Sequence, residues 1–209
     1  MMFTLDLLKQ PTDYYTPVCN WGTHPTYGCG TLLFYEYPFL NERLITYRED
    51  LLERVTTYSI GELLLEDDPD DSKRWIMGQI QRKRGLTKRF QNQGLPVWID
   101  LTLREDCEKF MLYAVPDGWK CYTLRKPLAK DLLRKADLAE RKAGSDIRLI
   151  VYGGSEVVKN ICYERKWHYQ PEYELPRPTL PAKNNPLRRG LLTPPTYPVG
   201  TPHLITILQ

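Results

Sequence analysis

"KPLAKDLLRKADLAERKAGSDIRLIVY", residues 126–152, reads as a helix that hands over directly to a buried strand. Pro127 suits a first helical turn, where a missing N–H and a fixed φ do no harm. Leu128, Leu132, Ala136, Ala139 and Ala143 recur at three- and four-residue spacing and make one apolar stripe. Gly144 is the stop, because glycine readily takes the left-handed conformation that ends a helix. "DIRLIVY" (146–152) is then a short run of aliphatic residues, the pattern of a buried strand.

Outward from this pair the same elements recur. "TLLFYEY" (31–37) is aromatic, bounded by Gly30 and Pro38, and reads as a strand. From Asn41 to about Glu66 the spacing of Leu44, Tyr47 (or Arg48), Leu51, Leu52, Val55 and Tyr58 predicts a helix that Gly61 interrupts or ends. Residues 72–99 suit a helix with Trp75, Ile76 and Ile80 toward a core, weakened by Gly78 and Gly85. "LPVWIDLTL" (95–103) is a strand of buried type. "EKFMLYAVPDGWKCYTL" (108–124) reads as a hairpin around Pro116-Asp117-Gly118. "YERKWHY" (163–169) alternates and favours a strand, with Ser155 as the alternative cap of a helix. The expectation is an α+β or α/β fold: a compact mixed-sheet domain over residues 1–170, with an irregular lead-in over 1–30 and two or three helices.

Composition narrows the class. Nine of the chain's 17 prolines fall in residues 171–209, so that stretch is expected to be an extended arm rather than helix or central strand. A net charge of +3 gives a weak average field, so any polyanion must meet a local cluster. No apolar run is long enough to span a bilayer, and "MMFTLDLLKQPTD" lacks the pattern of a secretion signal. Five unclustered cysteines suit reduced thiols better than a disulfide framework. An intracellular protein, cytoplasmic or nuclear, is expected.

Short motifs carry the functional expectations. Pro194-Pro195-Thr196-Tyr197 resembles the PPxY ligands of WW domains, in which two prolines pack on an aromatic groove and the tyrosine enters a neighbouring pocket. The resemblance implies recruitment of WW-containing ubiquitin ligases. "PTLPAK" (178–183), through Pro178 and Pro181, is similar to SH3 ligands, and "YPFL" (37–40) resembles a viral budding motif.

A charge switch marks a second candidate. Residues 62–71 hold six acids, whereas residues 72–99 hold none. The latter carry Lys73, Arg74, Arg82, Lys83, Arg84, Lys88 and Arg89, a cluster able to meet phosphates of nucleic acid or anionic lipid. Trp75 and Phe90 are candidates to stack on bases. "KRWIMGQIQRKR" (73–84) resembles a bipartite nuclear-import signal.

Two constellations point to metals. Cys19, His24 and Cys29 in "CNWGTHPTYGC" resemble part of a retroviral zinc knuckle, with Cys107, Cys121, Cys162 or His168 as a fourth zinc ligand. Asp146, Glu164 and Lys166, with Glu140, resemble the PD-(D/E)xK nuclease pattern, which implies magnesium-dependent cleavage of a phosphodiester. "YGGSE" (152–156) suits a phosphate if a helix follows. No histidine stands beside a plausible serine or cysteine nucleophile, so no triad is expected.

The leading expectation is a non-enzymatic interaction or adaptor protein without cofactor: its arm recruits WW or SH3 domains and its basic segment meets a polyanion. This build resembles that of small viral matrix or accessory proteins. The alternatives are a metal-dependent nuclease and a nucleic-acid-binding protein.

Overall fold

The computed structural model describes residues 4–20, 30–35, 58–65 and 69–172. They belong to the first of the two units into which the chain divides, Met1–Tyr173. The expected arm, residues 41–57 of the helix expected over 41–66, and the YPFL stretch fall outside the described residues, as do His24 and Cys29.

Among the described residues seven strands form one sheet in sequence order: β1 (Val18–Asn20), β2 (Thr31–Phe34), β3 (Ser59–Leu63), β4 (Val97–Asp100), β5 (Cys121–Arg125), β6 (Arg148–Tyr152) and β7 (His168–Gln170). Every neighbouring pair is parallel. Parallel neighbours need crossovers; among the described residues α1 (Lys73–Asn92) joins β3 to β4, α2 (Ala129–Ala143) joins β5 to β6 and α3 (Glu156–Glu164) joins β6 to β7. The architecture is α/β, and the expected mixed sheet is corrected to a parallel one.

Side-chain alternation sorts the strands into two faces. Ile99, Leu101, Tyr122, Leu124, Leu149 and Val151 pack with the apolar sides of the helices, including Ile76, Ile80, Leu132, Ala136 and Val158. Leu33, Tyr35, Trp98, Cys121, Ile150 and Tyr152 form a separate cluster on the other face. That face is concave. The rings of Tyr35, just after β2, and Tyr152 on β6 lie 5.7 Å apart. A flat sheet would hold strands four places apart at about 19 Å, so the sheet curls strongly.

Residues 10–14 cross one end of the curl. Gln10 Oε1 accepts the Lys120 N–H (2.7 Å), and the Cys121 thiol donates to the Pro11 carbonyl (3.0 Å). Tyr14 stacks on Trp98 at 5.7 Å, and its hydroxyl accepts the Leu149 N–H at 3.1 Å. These contacts fall at the starts of β4, β5 and β6. The lead-in thus closes the N-terminal end of the concave face and leaves the C-terminal edge as the site side.

Three local expectations are corrected. Residues 59–63 are strand β3, not the end of a helix; Gly61 packs so close to β2 that a Cβ there would stand 2.7 Å from Leu33 Cδ2. The hairpin over 108–124 does not form. Glu105–Phe110 is a 3₁₀ helix, and β5 pairs in parallel with β4 and β6. The Arg84 guanidinium takes the carbonyls of Met111 and Tyr113, which fixes that stretch as a loop over α1. "YERKWHY" spans the end of α3, a turn and β7; the Ser155 hydroxyl caps the helix by accepting the Val158 N–H.

Candidate ligand site at the C-terminal edge

The concave face changes character along the strand direction. Leu33, Trp98 and Cys121 make an apolar floor. Two residues on, Asp100, Thr123, Ile150 and His168 are successive cross-strand neighbours on β4 to β7. The next layer is Arg125, Tyr152 and Gln170 on β5 to β7, and Thr102 joins it by accepting the Arg125 N–H on its hydroxyl (3.0 Å). Parallel sheets with outer helices collect binding and catalytic groups at this edge, because the strand ends and following loops converge there.

Asp100 is the best-fixed group. It is 2% exposed. Its Oδ1 accepts the Tyr35 hydroxyl (2.9 Å) and the Thr102 N–H (3.1 Å); its Oδ2 accepts Lys83 Nζ (2.7 Å). Lys83 comes from α1, on the opposite face. It passes where β3 and β4 part, since their pairing is Ile60↔Val97 and Gly61↔Trp98. A side chain fills the parted ladder: Glu62 Oε2 accepts the Asp100 N–H at 3.1 Å.

Glu62 also pairs with Arg84, lies 3.8 Å from Lys83 Nζ, and accepts the Thr87 hydroxyl (2.5 Å). Two carboxylates and two cations are thus buried as a neutral, interlocked set. Burial pushes the Glu62 carboxyl up, but Arg84 and Lys83 outweigh it and leave the group below the ordinary glutamate value. Burial, then the adjacent Asp100 carboxylate, pushes the Tyr35 phenol well above its usual range, so it stays a donor. With three hydrogen bonds on its oxygens, Asp100 is an anchor for the edge rather than a free base.

The groups around that anchor are less satisfied. Arg125 Nε and His168 Nε2 are buried without a hydrogen-bond partner. The Thr123 hydroxyl faces the Tyr35 phenol but completes no hydrogen bond of ordinary geometry. Arg125 makes no ion pair among the described residues, whereas its neighbour Lys126 pairs with Glu172 at 2.5 Å. Burial lowers the His168 pKa, opposed by Gln170, and favours the neutral ring.

The residues singled out from sequence are dispersed. Within the basic segment Arg74, Arg82 and Arg89 are exposed, Lys88 is half-buried, and Lys73 lies 3.6 Å from Asp106. Lys83 and Arg84 are buried and committed to Glu62 and Asp100, so they cannot meet a polyanion. Phe90 stacks on Phe34 in the core, while Trp75 is 45% exposed. Asp146 is exposed ahead of β6, Glu164 ends α3 rather than lying on a strand, and Lys166 occupies the turn after it. No cluster of three metal-ligating residues occurs among the described residues. Cys107, Cys121 and Cys162 are free and buried; burial pushes Cys121 and Cys162 up to about 11. Cys19 lies on β1. A helix does follow "YGGSE", with Gly153 and Gly154 at positive φ, but Ser155 is spent on the cap and Glu156 occupies the first turn. Pro178, Pro181, Pro194, Pro195 and Tyr197 lie outside the described residues.

Asp100, Thr123 and Arg125 were not singled out from sequence. The one available signal was a polar residue ending each buried run, in "VWID" and "CYTLR". Among the described residues no helix is long and apolar enough to cross a membrane. No protein family, curated protein or solved structure matches this chain, so the chemistry of the site is the guide to what it does.

Proposed function

We propose that the folded unit binds a small anionic ligand, a phosphate or carboxylate, at the C-terminal edge of its sheet. The observation that carries this reading is Arg125: a half-buried cation without an ion pair among the described residues, whose Nε is buried and unbonded. Buried polar atoms in folded proteins are nearly always satisfied. Thr123 and His168, in the adjoining layer, offer further unsatisfied groups on the same face. Asp100, in the same layer as Thr123, is held by Lys83 and Tyr35, so its charge is met within the fold.

The test is thermal unfolding of the full chain with inorganic phosphate, a nucleoside monophosphate, a dicarboxylate or a neutral sugar. At a hundred times its Kd, a bound anion should stabilise by about 2.7 kcal/mol, and the rise should vanish in Arg125→Gln but persist in Arg141→Gln. The reading fails if no anion stabilises the wild type, or if Arg125→Gln responds equally.

For the arm, we propose that Pro194, Pro195 and Tyr197 recruit WW domains, with Pro178 and Pro181 serving SH3 partners. The support is the PPxY spacing itself and the rigidity of polyproline segments, which lose little entropy on docking.

A further inference from the structure

We propose that the outward face of α1 docks single-stranded nucleic acid. At 3.6 residues per turn, Arg74, Arg82, Lys88 and Arg89 fall within about a third of the helix circumference. Gly78, Gln81 and Gly85 lie between them on the same arc, and residues 72–99 contain no acid. None of the four cations makes an ion pair among the described residues, whereas Lys73, on the helix flank, lies against Asp106. The described residues thus leave this face to an anionic partner.

The N-terminal half of the face also carries an aromatic group. Ser72, Arg74, Trp75, Gly78, Gln79 and Arg82 line one shallow groove. A Cβ at Gly78 would have no neighbour within 4 Å, so the groove floor is open to close approach. Trp75, 45% exposed, lines that groove with Arg74 and Arg82. An indole beside cations suits an unpaired base with its neighbouring phosphates. A lipid surface fits less well. A membrane-surface helix must keep its apolar side free, and the apolar side of α1 (Ile76, Ile80, Leu86, Phe90) is buried in the core.

Binding of the full chain to labelled single-stranded DNA and RNA tests this, beside duplex DNA and phosphatidylserine vesicles. Four phosphate contacts on a single strand give a log–log salt slope of about −2.8, which is about a 50-fold loss of affinity between 50 and 200 mM salt. In Arg74→Gln/Arg82→Gln the slope should fall to about −1.4, a loss of about sevenfold over the same range. Trp75→Ala should weaken binding about tenfold without changing the slope. Both variants should melt like the wild type, since these side chains lie outside the core. A flat salt response, unchanged binding in either variant, or preference for duplex or vesicles over single strands would overturn the proposal.

Discussion

Glu62→Gln removes one charge from the buried neutral set and leaves Lys83 and Arg84 facing Asp100 alone. Glu62 is 1% exposed and Arg84 1%, so water cannot compensate. Breaking a buried ion pair from one side costs about 3–5 kcal/mol. For a domain of this size each kcal/mol lowers Tm by about 2–4 °C, and chemical denaturation followed by circular dichroism gives the free energy directly. Arg84→Met should cost at least as much, because the carbonyls of Met111 and Tyr113 also lose their donor. The double variant restores neutrality, so its cost should fall short of the sum by about 1–3 kcal/mol. pH supplies an independent check. Glu62 sits below its ordinary value of 4.5 in the folded state. Its contribution is therefore present above that value and is lost as pH falls through the lower, folded pKa. Wild type should lose stability there more steeply than Glu62→Gln. A single-variant cost below about 1 kcal/mol, or additivity within about 0.5 kcal/mol, would refute the account of a coupled buried network.

Gly78→Ala should stabilise the fold by about 1 kcal/mol, read as a higher Tm, because glycine is a poor helix former and its surroundings are open; the added methyl should at the same time weaken oligonucleotide binding. The intact chain should bind a WW-domain panel with micromolar affinity, and Tyr197→Ala should lose it; equal binding, or none by either, would remove the recruiting role of the arm.

The nuclease resemblance shows how spacing misleads without a fold. Glu164 and Lys166 share a face only if residues 163–169 are one strand. Ser155 caps a helix instead, and the pair falls at its end and in the following turn. The basic segment misled in a different way. Seven cations in a row of residues look equivalent along the sequence, yet the helical turn aims Lys83 and Arg84 at the sheet and leaves Arg74, Arg82 and Arg89 outside.

What the sequence by itself determined is local. Periodicity and end signals located α2 with its Gly144 stop, which takes a left-handed φ of 68°, and the buried runs that became β2, β4 and β6. Those signals depend on neighbours within a turn or a strand, so they survive without the fold. Tertiary structure alone decided that all the described strands run parallel, that residues 59–63 extend rather than coil, and that Asp100, Thr123 and Arg125 meet on one concave edge. Each of these depends on partners distant in the chain. Lys83 and Asp100 are 17 residues apart and Tyr35 and Asp100 are 65. Only the curl of the sheet and the parting of β3 from β4 bring them within hydrogen-bonding distance, and no periodicity encodes a contact made through a gap between strands.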